Sequence, residues 1–173
     1  MADISDLKMT IVTNDPTKRY YYTLLFDDKY RVKIATRNIN IPGVQNFRDL
    51  GGYPSYSTKK QMRWGMIYRS AEIDSLECSS RRELKNLGIK TLIDLRASSE
   101  IGQAVAAAKR FNVVHIPLAD RRYEGILKGI REEKIKSDTV YRMVERMNRI
   151  LIDQYTKEYR QIFDILLDKT VIR

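Results

Sequence analysis

The sequence predicts an α/β domain preceded by a β-hairpin, and three observations carry that expectation. Tyr30, Val32 and Ile34 alternate with Arg31, Lys33 and Ala35, the period of a half-buried strand. The compact apolar runs Lys90–Leu95 and Asn112–Ile116 are separated by a stretch of helical character, as expected of strands in a sheet covered on both faces. Between hairpin and sheet lies Asn46-Phe47-Arg48-Asp49-Leu50-Gly51-Gly52. Its adjacent glycines call for a tight backbone course that side chains would obstruct.

Taken in order, residues 1–18 read as a polar lead-in that includes Asn14-Asp15-Pro16. Residues 19–40 form the hairpin extension, with strands over Tyr20–Phe26 and Tyr30–Thr36 joined through Asp27-Asp28-Lys29. The tyrosines at 20, 21 and 22 suit strand packing better than modification or base stacking. Residues 41–173 hold the α/β domain. Within it, Met66–Arg69 is a short strand, and Ser79 or Ser80 can cap a helix over Arg81–Leu87 that stops at Gly88. Ser98 or Ser99 can open a further helix that includes Ala104–Ala108, and Pro117 closes the strand over Asn112–Ile116. The charged stretch Arg121–Lys136 reads as helical. From Asp138 to Asp168 apolar residues from Val140 to Leu167 recur at helical spacing, predicting one long helix. Arg142, Arg146 and Arg149 lie off that stripe, as a solvated basic face.

Length and composition bound the function. A chain of 173 residues suits one domain with a core of its own. No apolar run approaches the roughly 20 residues needed to cross a bilayer. The amino terminus carries Asp3 and Asp6 and lacks a basic-then-apolar leader, so cytoplasmic residence is the default expectation, and a trimmed exported chain would look the same. A net charge of +10 favours anionic partners in general. Specific nucleic-acid binding has only that charge behind it, with no zinc-ligand spacing, recognition helix or aromatic RNA-binding signature. The single cysteine, Cys78, excludes an internal disulfide. The single histidine, His115, has no companions spaced as metal ligands.

Asn-Phe-Arg-Asp-Leu-Gly-Gly at 46–52, Met-Arg-Trp-Gly-Met-Ile-Tyr-Arg-Ser-Ala-Glu at 62–72 and Leu-Gly-Ile-Lys-Thr-Leu-Ile-Asp-Leu-Arg at 87–96 together resemble one family, the bacterial tyrosine/serine protein phosphatases. The resemblance runs over about residues 30–173. It implies a protein tyrosine phosphatase-like fold, a parallel sheet flanked by helices. It also implies hydrolysis of phosphate monoesters through a cysteinyl-phosphate intermediate, with no metal or other cofactor. Phosphotyrosine is the first substrate expected, with phosphoserine and phosphoinositides open.

The family's His-Cys-x5-Arg loop, whose amides and arginine cradle phosphate while a thiolate attacks, does not occur in this sequence. Leu84 stands where an arginine paired with Cys78 would be, and His115 is distant from Cys78. Lys169–Arg173 resembles the start of the strand that precedes the loop, so the chain reads as the amino-terminal part of the domain. The uncovered sheet would then favour self-association, and the chain alone is expected to be inactive. The alternative is a noncatalytic phosphoprotein-binding or scaffold module.

By the same resemblance, Asp120 is a candidate general acid. Equally it can cap the charged helix that follows, and some members hold an aspartate inside the nucleophile loop that can serve as the acid. Asn46, Arg48, Asp49, Asp94 and Arg96 are expected to support the site. Arg48 and Asp49 can alternatively form a local ion pair, and Arg96 can pair with Glu100 as structure alone.

Overall fold

A computed structural model describes residues 10–13, 18–73, 76–101, 111–118, 129–130, 132, 134 and 137–168. The hairpin is formed by β1 (Tyr22–Phe26) and β2 (Tyr30–Ile34), antiparallel with Phe26 opposite Tyr30 and Tyr22 opposite Ile34. Asp27 and Asp28 take positive φ, 48° and 52°, as a tight hairpin turn requires of its two central residues. Tyr22, Leu24, Phe26, Tyr30, Val32 and Ile34 share one face by this register, and none of them is buried.

The double-glycine loop is built from short antiparallel pairs. β3 (Arg48–Asp49) pairs with β6 (Tyr68–Arg69), and β4 (Pro54–Ser55) pairs with β5 (Lys60–Gln61). The strand expected over Met66–Arg69 is therefore shorter and bonds backwards to β3 instead of joining a parallel sheet. Gly51 and Gly52 lie under Trp64: a Cβ on Gly51 would stand 2.7 Å from the indole Cδ2 and press on the Trp64 backbone. Gly52 in addition has φ +76°.

The helix α1 (Cys78–Asn86) follows, with Gly88 at φ +79° just beyond it as the expected stop. Its start departs from expectation. Glu77 is the N-cap residue and gives no side-chain cap, while Ser80 is fully buried and its hydroxyl donates to the Pro42 carbonyl at 2.7 Å. An interior acceptor 38 residues away outcompetes the helix end for that hydroxyl. Next come β7 (Thr91–Asp94) and β8 (Asn112–His115), which run parallel in register from Thr91–Asn112 to Asp94–His115.

Among the described residues this two-stranded pair is the parallel part of the fold. The helices expected over Ala104–Ala108 and most of Arg121–Lys136, and the strand start at Lys169–Arg173, lie outside the described residues. A wider parallel sheet flanked by helices is thus not what these residues show.

The core joins these elements. Ile41, Val44, Phe47, Leu76, Leu84 and Phe111 are buried together, with Tyr68, Leu87, Ile89 and Leu92 packed against them. Phe47 stacks on Tyr68 with ring centroids 5.2 Å apart. The single long helix expected after Asp138 is two: α2 (Ser137–Gln154) and α3 (Thr156–Leu167). The break falls at Tyr155, φ −105° and ψ 28°, where the Thr156 hydroxyl donates to the Ile152 carbonyl at 3.4 Å. Such back-bonding by threonine competes with the regular ladder and bends a helix. Arg142, Arg146 and Arg149 are exposed, and Arg149 pairs with Glu145 one turn earlier at 2.8 Å.

The two loop glycines and the helix stop separate steric crowding from backbone strain. Gly51→Ala forces a methyl group into Trp64 and is expected to cost about 3 kcal/mol. Gly88 has nothing within 4 Å of an added Cβ, so Gly88→Ala pays only for left-handed backbone, about 1 kcal/mol. Urea denaturation of the two variants beside the wild type checks the order, and equal losses would contradict it.

Candidate functional site

Two clusters gather the residues singled out in the sequence. The first surrounds Asp49, which is fully buried. Its Oδ2 accepts from Arg19 Nη2 at 2.9 Å and from the Gly65 amide at 2.9 Å, while Oδ1 accepts from the Gly51 amide at 2.7 Å. Its backbone is held as well: the Asp49 amide donates to the Arg37 carbonyl at 3.0 Å, and Arg37 Nη1 donates to the Asp49 carbonyl at 2.8 Å. A buried carboxylate persists only when its oxygens are paired and hydrogen-bonded in this way.

The local Arg48–Asp49 ion pair is therefore not formed. Adjacent strand residues point to opposite faces. Asp49 turns inward to Arg19, and Arg48 Nη1 donates to the Asn46 carbonyl at 3.2 Å and to Asn46 Oδ1.

The hairpin extension closes over this cluster. Arg19 Nε donates to the Tyr21 hydroxyl at 3.0 Å, and the Trp64 indole donates to the Lys33 carbonyl at 2.9 Å. The Arg37 guanidinium lies 4.0 Å from the Tyr53 ring centre and 5.1 Å from that of Trp64. Burial, and then a hydrogen bond with Tyr21, push the Tyr68 phenol far above its ordinary range, so it stays neutral at any ordinary pH. Arg19, Tyr21 and Arg37 were missed in the sequence, where nothing marks which distant cation faces a buried aspartate.

The second cluster sits at the carboxyl ends of β7 and β8, the edge where open α/β sheets gather ligands. Arg96 folds back on Asp94 with a fork of hydrogen bonds: Nε to Oδ1 at 3.0 Å and Nη2 to Oδ2 at 2.8 Å, with the Arg96 amide also on Oδ1 at 3.0 Å. Glu100 does not take Arg96; its Oε2 accepts the Ala97 amide at 2.8 Å. His115 Nε2 meets the Arg96 carbonyl at 2.9 Å, which makes that nitrogen the protonated one. Beyond the strands the two chains stay paired, Ile116 amide to Asp94 carbonyl and Leu118 amide to Leu95 carbonyl, both 2.9 Å. Asp120, two residues past Leu118, lies outside the described residues. Cys78 is exposed at the first residue of α1, and Leu84, six residues on, is fully buried core. Among the described residues no three His, Cys, Asp or Glu side chains gather as a metal site would need, and no helix is long and apolar enough to cross a membrane.

A family model described as tyrosine phosphatase family matches residues 39–172, from the approach to the Asp49 loop through both parallel strands to the end of the helices. The chain belongs to the tyrosine phosphatase family. A curated relative, the triple specificity protein phosphatase PtpB of Mycobacterium tuberculosis, is 36% identical over 63 residues. That alignment covers 36% of this chain and 21% of the relative.

The Asp94–Arg96 fork has a pH signature. The Arg96 hydrogen bonds lower the Asp94 carboxyl from its ordinary value. A depressed carboxyl adds stability above the unfolded pKa, about 3.9, and loses it as pH falls through the folded value. Arg96→Gln is therefore expected to lower stability at pH 7 by about 1 kcal/mol or less, because the pair is part-exposed. The deficit should shrink below about pH 4, as melting curves from pH 7 to pH 3 would read. A deficit that persists unchanged at low pH would assign the loss to packing instead of charge.

Proposed function

We propose that this chain forms the amino-terminal part of a cysteine-dependent protein phosphatase that hydrolyses phosphate monoesters, phosphotyrosine first among them. The observation that carries this reading is the tyrosine phosphatase match over residues 39–172. Phosphoserine and phosphoinositide esters present the same reacting group, and PtpB, described as a triple specificity protein phosphatase, supports a broad substrate range.

In the proposed reaction a thiolate attacks phosphorus, the S–P bond forms and the ester P–O bond breaks. The departing oxygen takes a proton from a general acid. Water then attacks phosphorus and gives a proton back to the same acid, now its conjugate base, the S–P bond breaks, and inorganic phosphate and the thiolate are released. Protonating a phenolate whose pKa is about 10 lowers the first barrier, by a factor of about 10²–10⁴. Asp120 is our candidate for that acid.

Asp94 and Arg96 support the strand edge before it, and Asp49 supports the loop that carries Gly51 and Gly52. We assign neither nucleophile nor phosphate-cradling arginine to these 173 residues. Cys78 has core Leu84 where that arginine would stand, and His115 is engaged by a backbone carbonyl.

The test is turnover of an aryl phosphate. The purified 173-residue chain is expected to show none that depends on cysteine. The reading frame followed past Arg173 is expected to encode His-Cys-x5-Arg within about 5–15 residues, and the longer chain to be active. In that longer chain, Asp120→Asn should slow tyrosine phosphate hydrolysis by about 10²–10⁴ while sparing an ester with an acidic leaving group. Equal losses on both esters would return Asp120 to the role of helix cap. Turnover by the 173-residue chain that Cys78→Ser abolishes would overturn the assignment. A stop codon with phosphopeptide binding retained would favour the noncatalytic binding module.

A further inference from the structure

The register of β3 against β6 sets Arg48 directly opposite Arg69, with Asn38 bridging Arg48 on its other side. Directly opposed residues of an antiparallel pair share a face, their Cβ atoms about 4.5–5.5 Å apart. Asp49 and Tyr68 occupy the inward face, with Phe47 stacked on Tyr68. Arg48 and Arg69 therefore stand together on the outer one.

Like charges directly opposed destabilise a strand pair, and an arginine cannot relieve the repulsion by losing its proton. The structure nevertheless holds one of the two in place. Asn46, at φ +54°, turns both its carbonyl and its Oδ1 onto Arg48 Nη1. Both acceptors are neutral, so the double positive charge is oriented and not cancelled. Among the described residues the exposed Arg69 guanidinium has no carboxylate partner. Beside the pair the ladder continues through half-buried Leu50 and Ile67, whose amide and carbonyl meet at 2.9 Å, an apolar margin that strengthens charge interactions at its edge.

We propose that the Arg48–Arg69 face is an oxyanion site that takes a phosphate group, as inorganic phosphate or as a phosphate monoester. A carboxylate carries one negative charge and neutralises one guanidinium. A phosphate monoester carries about −1.5 to −2 at neutral pH and three acceptor oxygens, which matches two planar donor forks. The site lies apart in sequence from the Asp94–Arg96 edge and involves no covalent step. It goes beyond the proposed reaction: binding here needs no nucleophile, and loss of one leaves the other standing.

The experiment titrates the 173-residue chain with inorganic phosphate and, in a second arm, with phosphotyrosine, at constant ionic strength, by calorimetry and by amide shifts. Affinity of about millimolar is expected, with shifts centred on residues 46–48 and 69. Tighter binding in the phosphotyrosine arm assigns the site to esters, and equal binding assigns it to free phosphate. Arg69→Gln should weaken binding about tenfold and Arg69→Lys less. Lys60→Gln, which removes one exposed charge from β5, should change it less than about twofold.

Thermal melts supply a second reading that does not depend on affinity alone. In phosphate-free, low-salt buffer Arg69→Gln should melt at or above the wild type, because the repulsion is gone. In phosphate buffer the wild type should gain stability by linkage and the order should reverse. No saturable binding by the wild type, equal losses in Arg69→Gln and Lys60→Gln, or a melting order that phosphate leaves unchanged would each overturn the site.

Discussion

The fold depends on how one buried carboxylate is satisfied. Asp49 has no exposure to solvent, and its two oxygens receive an arginine from the extension and two amides from the loop it organises. Removing one partner from such an arrangement typically costs about 3–5 kcal/mol, since it strands a charge away from water. Against a typical folding stability of about 5–15 kcal/mol that is a large share. Asp49 thus binds together three parts of the chain that local propensity would leave independent: the segment at Arg19, the turn at Gly51 and the turn at Gly65.

This has a bearing on what counts as the domain. The family match begins at residue 39, yet Arg19, Lys33 and Arg37 all bond to the Asp49 loop or to Trp64 above it. The hairpin is outside the family pattern and inside the network that shapes the loop. By contrast Asp94 takes its fork of hydrogen bonds from an arginine two residues on, and His115 of the neighbouring strand meets that arginine's carbonyl. The carboxylate of the loop cluster takes its arginine from 30 residues away and that of the sheet edge from two.

That difference explains what could be read from the sequence. Local signals were legible. The alternation at Tyr30–Ile34 marked a strand, Gly88 marked a helix end, and Gly51–Gly52 marked a backbone that tolerates no side chain, for reasons that the closeness of Trp64 supplies. Long-range choices were not legible. Nothing in the sequence says that Asp49 prefers Arg19, 30 residues away, to its neighbour Arg48; strand alternation forbids the neighbour but does not name the partner. Ser80 looked like a helix cap because serine caps helices, and only the packed chain brings the Pro42 carbonyl to it. The break at Tyr155 carries neither proline nor glycine, so the helical period runs through it undisturbed. The motif resemblance pointed to the phosphatase family because those motifs are the local ones.

Trp64 is the one tryptophan in the chain, and its surroundings give it a use beyond packing. Its indole N–H is tied to the hairpin at Lys33, its ring covers two glycines of the loop, and a guanidinium from Arg37 lies over it. Water polarity, a hydrogen bond and a nearby cation are the influences that move and quench indole emission. All three change if the extension lifts from the loop while the rest of the chain stays folded. The protein therefore carries an intrinsic fluorophore at the seam between extension and family domain, able to separate the undocking of one from the unfolding of the other.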